Sequence, residues 1–362
     1  MTAYKGQCTA HRGGRFRPAK EVLSKRSSSL YSVLCTLYSK RFLALLILTV
    51  GLAGVRAQDI HFSQVDADPM LLNPAYAGFF DGAGRIGLIY RNQWASISAP
   101  FQTAGLTAEA ALWRSNNHQR GLSVGGSFFS DHAGTLSYGT TSGHLSVAYF
   151  TALGRYGNNF LSLGVDGGFA QSGFDPSNAN MEDPAETFQQ QRVSYPLLCL
   201  GLAWYYQPNS DLHTKVGLSV RNLNRPDISY SGLDNTRLEP RYSLFARAEW
   251  RGWQSLSLMP VVLVQAQGRY RELLYGADLK WYLAEGAQHQ MSLRTGLAFR
   301  HGDALIANLI IEYNAFVFTF CYDANISDLV AASGGVGALE VGMVYRIAKS
   351  KRKTMRIKCP QY

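Results

Sequence analysis

Several residue groupings in this 362-residue chain have spacings that could do chemistry. Gly82-Ala-Gly-Arg-Ile-Gly87 fits the expression for a dinucleotide-binding loop, whose glycines let backbone amides approach a pyrophosphate at the start of a helix. Here the glycines open an alternating, strand-like run, and without the helix no anion site forms. Gly121-Leu-Ser-Val-Gly125 fits the hydrolase nucleophile elbow, but it too lies inside an alternating run and lacks the strand-turn-helix that exposes the serine. His144 and Ser146 share one strand face, with Asn158 or Asn159 to follow, the spacing that a surface-built Ser-His pair of an outer-membrane lipase needs. Leu145, Val147 and Tyr149 form the apolar face, so His144 and Ser146 turn away from any lipid substrate. The histidines after residue 57 (His61, His118, His132, His144, His213, His289, His301) form no His-Glu-x-x-His or carboxylate-histidine ligand set. Segment 172–194 gathers Asp175, Glu182, Asp183 and Glu186 without calcium-loop spacing and reads as a solvated acidic loop, with calcium or cargo contact as the lesser reading. No catalytic residue, cofactor or metal is assigned.

The elements that would hold these residues are strands. From Gly84 onward, runs of about ten residues alternate apolar with small or polar positions and end in turns. Leu161, Leu163, Val165 and Phe169 fall on one face, with Ser162, Gly164, Asp166 and Gly168 on the other. Fourteen runs are expected: 84–94, 101–112, 120–129, 136–151, 158–171, 195–206, 212–222, 238–250, 255–267, 270–283, 288–300, 303–313, 315–323 and 336–347. Most exceed the roughly five or six residues of soluble strands and match the roughly nine to eleven of a tilted bilayer-crossing strand. The number is even, and the three longest connections, 172–194, 223–237 and 324–335, all follow odd-numbered strands, which is the loop asymmetry of outer-membrane barrels. Trp94, Trp113, Tyr149, Trp204, Trp250, Trp281 and Tyr345 near strand ends suit interfacial girdles. The competing architecture is a soluble sandwich, which also alternates.

Charge must be divided by region. Residues 1–57 hold ten Lys and Arg against one acidic residue, so a net +10 becomes +1 over 58–362. Over 58–348 there are 19 basic against 24 acidic residues, which leaves no basic body for nucleic acid. Charged residues are 17% of the chain and mean hydropathy is −0.10, so a helical membrane bundle is excluded too. Lys40-Arg41, the apolar stretch Phe42–Gly54 and Val55-Arg56-Ala57 compose a secretory signal, with the mature chain starting at Gln58. Cys199 and Cys321 sit in strand-like runs, while Cys359 lies in the tail and either pairs with another protein's thiol or stays free.

Two ends of the mature chain remain. Gln58-Asp-Ile-His-Phe-Ser-Gln64, Asn73-Pro-Ala-Tyr-Ala-Gly78, Tyr90-Arg-Asn-Gln-Trp94 and Pro100-Phe-Gln-Thr103 stand in order before and across the first strands. Further on come Asp131-His-Ala-Gly-Thr-Leu136, Gly217-Leu-Ser-Val-Arg-Asn-Leu223 and the ending Cys359-Pro-Gln-Tyr362. This order and spacing resemble the PorP/SprF family of type IX secretion system membrane proteins over essentially all of 58–362. The resemblance implies a fourteen-stranded outer-membrane barrel of a Gram-negative bacterium that works with type IX components and a secreted adhesin or cargo protein. By motif carry-over it also implies a partner-binding role for Asn73, Pro74, Tyr76, Gly78, Arg91 and Trp94.

The expected organisation is a signal peptide with a basic extension (1–57), a periplasmic amino-terminal segment (58–83), a transmembrane all-β barrel (84–347) and a basic tail (348–362), both termini being periplasmic. Asp68-Pro69 and Asn73-Pro74 argue against helix around them, and Gly78 allows a chain reversal. Segment 58–80 could dock a partner, fill the lumen or strap the first strand in place. The expected function is non-enzymatic, an accessory of type IX secretion or surface attachment, set in outer-membrane lipid. A passive diffusion porin is the alternative, and the two differ in what fills a lumen lined by Asp166, Asp278, Lys280, Arg294, Arg300, Glu340 and Arg346.

Overall fold

The computed structural model describes residues 61–348, apart from 66, 81, 95–99, 135–137, 155–156, 175–191, 231–235, 287–288 and 329. The signal segment, the acidic positions Asp175, Glu182, Asp183 and Glu186, and the basic tail with Cys359 lie outside the described residues.

Fourteen antiparallel strands pair in sequence order, and the first pairs the last to close a barrel. They are β1 (Gly84–Gln93), β2 (Phe101–Arg114), β3 (Arg120–Ala133), β4 (Tyr138–Ala152), β5 (Asn159–Gly173), β6 (Arg192–Tyr206) and β7 (Leu212–Arg221). The second half comprises β8 (Arg241–Trp253), β9 (Leu256–Gln267), β10 (Tyr270–Glu285), β11 (Gln290–Arg300), β12 (Ala304–Tyr313), β13 (Phe316–Asn325) and β14 (Val336–Ile347). Every expected run is a strand. Several extend further than expected at one rim: β3 runs on to Ala133, β6 begins at Arg192 and β13 continues to Asn325. Ladder hydrogen bonds carry these ends beyond the point where apolar alternation fades.

Polarity is inside out. Leu145, Leu163 and Leu297 on the outer wall are each about 60% exposed, whereas Asp166, Asp278 and Glu340 on the inner wall are 2% exposed or less. Period two in a closed sheet puts successive side chains on opposite sides of one wall, so apolar residues face outward wherever charged ones face in. A continuous greasy exterior of this size suits hydrocarbon, and closure leaves no sheet edge unpaired there. Trp113, Tyr149, Trp204, Trp250, Tyr313 and Tyr345 ring one rim, and Tyr90, Tyr138, Tyr242, Tyr275 and Tyr322 stand exposed toward the other.

The two rims differ. At one, connections are short, from 115–119 to 314–315; here the chain enters β1 and leaves β14, with Gly84 opposite Ile347. The other carries the long connections 174–191, 222–240 and 326–335, the last containing a one-turn helix, α2 (Val330–Ser333). We call these the short-turn rim and the long-loop rim.

The segment before β1 does not stay outside the barrel mouth. It contains a one-turn helix, α1 (Pro69–Leu72), and a 3-10 turn (Pro74–Tyr76), and it runs inside the lumen. Each proline begins its turn at a position where a missing N–H costs nothing, and Asp68 and Asn73 cap the turns. The Asp-Pro and Asn-Pro pairs thus exclude helix at the capping residue but start one directly after it.

Candidate functional site: the lumenal segment and its cradle

The Asn73–Gly78 turn lies on a bed of glycines. Gly164, Gly201 and Gly217 stand on the inner faces of β5, β6 and β7, with Gly164 opposite Gly201 and Gly217 opposite Ala203. A Cβ on Gly164 would fall 2.3 Å from the Ala75 nitrogen, one on Gly201 1.9 Å from Asn73 Oδ1, and one on Gly217 2.1 Å from the Tyr76 hydroxyl. The segment therefore sits where only bare backbone leaves room.

Asn73 uses its whole amide. Nδ2 donates to the carbonyls of Leu202 and Leu218 at 3.0 Å each, and Oδ1 accepts from the Ala75 N–H at 2.9 Å. Ser162 Oγ donates to the Ala75 carbonyl at 2.7 Å, and Ser219 Oγ to that of Leu72 at 2.6 Å. The wall thus supplies partners for polar groups of a non-strand segment, as buried backbone requires. Tyr76 meets Tyr205 and Phe245 edge-on, with the Lys215 ammonium 4.5 Å from its ring centre. Phe79 stacks on Tyr205 at 3.5 Å. Gly78, at φ +72°, takes a left-handed turn; its N–H donates to Glu109 at 2.5 Å, and Arg114 donates to the carbonyls of Gly78 and Phe80.

At the other end of the segment, Ser63 is the hub of a charged collar. Its hydroxyl accepts from Arg91 (2.9 Å) and Arg300 (2.7 Å) and donates to Asp323 (2.5 Å). The backbone N–H groups of Ser63 and Gln64 donate to the two carboxylate oxygens of Glu340 at 2.7 and 2.9 Å. Arg91 pairs with Glu340 and Asp323, and Arg300 with Glu272, Asp303 and Asp323. Of these groups only Asp303 is exposed, so each buried charge is held against opposite charge and hydrogen bonds, the condition under which burial is tolerated.

Between these ends, Asp68 caps α1, accepting from Met70 and Leu71 at 3.1 and 3.2 Å. Arg221 donates to the Leu71 carbonyl at 3.1 Å. A cavity of about 20 Å³ lies between Ser63, Gln64, Val65 and Ala67 and the inner faces of β8–β13, with room for a water molecule.

Five of the six motif positions are lumenal: Asn73, Pro74, Tyr76 and Gly78 in the segment, and Arg91 on the wall beside it. Trp94 directly follows β1 at the long-loop rim with φ +56°, its ring edge-on to Phe101 at 5.1 Å. His144 and Ser146 face inward as their alternation requires, but both address Asp166, His144 Nδ1 at 3.0 Å and Ser146 Oγ at 2.6 Å. A serine that donates to the carboxylate is not aimed at the imidazole, so the three do not form a nucleophile-base relay. Gly82 to Gly87 lead straight into β1, and Gly121 to Gly125 lie within β3. Among the described residues no cluster of His, Cys, Asp and Glu fits a metal ion. Sequence reading missed Ser63, Glu272, Asp323 and the glycine bed; the run of small residues at inward positions of β5 to β7 was the available signal.

An apolar-walled closed barrel with its own amino-terminal segment anchored through the lumen is a membrane protein of the outer-membrane type. The sequence matches, over residues 55–345, the family described as type IX secretion system membrane protein PorP/SprF, and the chain belongs to that family. No curated protein matches it. Among solved structures it is similar to the CymD monoaromatic hydrocarbon channel, at 11% identity over 79% of this chain and 94% of that one, with a TM-score of 0.45. The Pseudomonas putida toluene transporter TodX gives 8%, 80%, 94% and 0.45, and CdiB from Acinetobacter baumannii 9%, 73%, 60% and 0.41. These likenesses carry no functional argument.

Proposed function

We propose that the protein is a non-enzymatic accessory of type IX secretion that works in the secretion or surface attachment of a cargo protein or adhesin, through partner contacts rather than through an open pore. The long-loop rim faces the cell exterior, the convention of outer-membrane barrels, and the tail 348–362 lies in the periplasm after a signal peptide is removed at Ala57. Asn73, Pro74, Tyr76, Gly78 and Arg91 serve partners indirectly, by holding the lumenal segment in its seat, while Trp94 stands at the rim that a surface partner meets.

The observation that supports this reading is the anchored segment 61–80, most of whose described residues are buried against the inner wall from the Ser63 collar to Gly78. A diffusion porin needs a wide aqueous eyelet with segregated charge, whereas here opposite charges pair around the segment that occupies the lumen. Crosslinked pull-down of the tagged barrel from its native membrane, followed by mass spectrometry, is expected to recover type IX components or a secreted adhesin. Recovery of neither, together with a large steady conductance of the intact protein in planar bilayers, favours the porin.

A further inference from the structure

We infer that the two ends of the mature protein face opposite sides of the membrane, the amino-terminal end of the lumenal segment opening at the cell-surface mouth. This rests on the reading that the long loops face outward and that the signal is cleaved after Ala57.

The geometry is set by contacts at both ends. Ser63 is bonded to Arg300, the last residue of β11, and to Asp323 and Arg91, each two residues from the end of its strand. All three of those strand ends lie at the long-loop rim. Phe80, by contrast, accepts through its carbonyl from Arg114, the last residue of β2, at the short-turn rim, where Ile347 also closes β14. Between residues 63 and 80 the chain therefore traverses the lumen from one rim to the other, passing Leu71 beside Arg221, Asn73 beside Gly201 and Gly78 beside Ser123.

Reach decides the rest. Gln58 is three residues from His61, and an extended chain covers at most about 3.6 Å per residue, so the mature terminus stays within about 11 Å of His61. An apolar band about 25 Å tall separates the two rims, so that terminus cannot return to the periplasmic side. The chain end thus stays on the side of the membrane that carries connections 222–240 and 326–335. The carboxyl-terminal end leaves β14 on the periplasmic side, at Ile347 beside Gly84. Because the segment is tethered at Gly84 by one end and held in the Ser63 collar by the other, it is a strap through the barrel and not a loop folded into its mouth.

The test uses the full-length protein in its native outer membrane. In a Cys359→Ser background, where Cys199 and Cys321 are buried, His61→Cys and Ala348→Cys are treated with a membrane-impermeant maleimide before and after the outer membrane is opened. We expect His61→Cys to lose no signal in intact cells relative to opened ones, and Ala348→Cys to be labelled only in opened cells. If His61→Cys fails to assemble, an epitope inserted between Gln58 and Asp59 and probed by antibody on intact cells answers the same question. Labelling of both positions only after opening, or of both in intact cells, overturns the inference. The reversed pattern overturns it through the loop orientation, while leaving the crossing of the lumen intact. Amino-terminal sequencing of the purified protein checks cleavage separately: a start at Gln58 supports the inference, and a retained leader overturns it.

Discussion

The side-chain oxygen of Asn73 fills the space beside Gly201 so closely that a Cβ on that glycine would lie 1.9 Å from it. Gly164 is tighter in kind, because its added Cβ would meet the backbone of Pro74 and Ala75 at 2.3 Å, and backbone cannot swing aside. Gly164→Ala should therefore unseat the turn, at an overpacking cost of about 1–3 kcal/mol. The barrel itself should persist, since alanine is tolerated on the inner face of a strand. Larger single-channel conductance steps than wild type, with unchanged heat-modifiable migration of the folded barrel, are the expected readout. Wild-type conductance would remove the seat's role in closing the lumen.

Asn73→Ala attacks the same contact from the other side. It removes two hydrogen bonds to wall carbonyls and the cap of the 3-10 turn, leaving the buried Ala75 N–H without its acceptor. At about 1–3 kcal/mol for an unsatisfied buried group and about 1 kcal/mol for a lost cap, the segment should loosen measurably. Hydrogen exchange at the Ala75 and Tyr76 amides is expected to accelerate, while amides of the β5–β6 ladder stay protected. Equal acceleration in both places would instead mean that Asn73 holds the whole barrel.

These two residues also show how far the sequence could be read. All fourteen strands were legible because one physical rule, apolar outward and small or polar inward, repeats at period two along the chain. The amino-terminal segment obeys no period, so only its motif marked it, and its path had to come from tertiary contacts. Asn73 stood out by type and spacing, whereas its partner Gly201 looked like any inward small residue. Ser63 and Asp323 are 260 positions apart and bonded to each other, a pairing that no local pattern announces. The prolines were read as breakers because the chain around them was expected to be extended; with Asp68 and Asn73 as caps they begin turns instead.

The collar should behave as a unit. Arg91→Met strips a buried cation from Glu340 and Asp323, leaving Asp323 to Arg300 and Glu340 to the backbone N–H groups of Ser63 and Gln64. Breaking a buried pair in this way costs about 3–5 kcal/mol. Removing both partners, in Arg91→Met with Glu340→Gln, should cost clearly less than the sum of the single changes. Urea unfolding in detergent supplies the double-mutant cycle, and strict additivity would show that the two residues do not act on each other.

Asp68 holds the start of α1 inside the lumen, its carboxylate accepting from the Met70 and Leu71 amides. Asp68→Ala removes that cap at a cost of about 1 kcal/mol. Hydrogen exchange at those two amides is expected to accelerate relative to wild type, while the Ala75 amide, held by Asn73, changes less. Unchanged exchange at Met70 and Leu71 would mean that Pro69 and packing against the wall hold the turn without its cap.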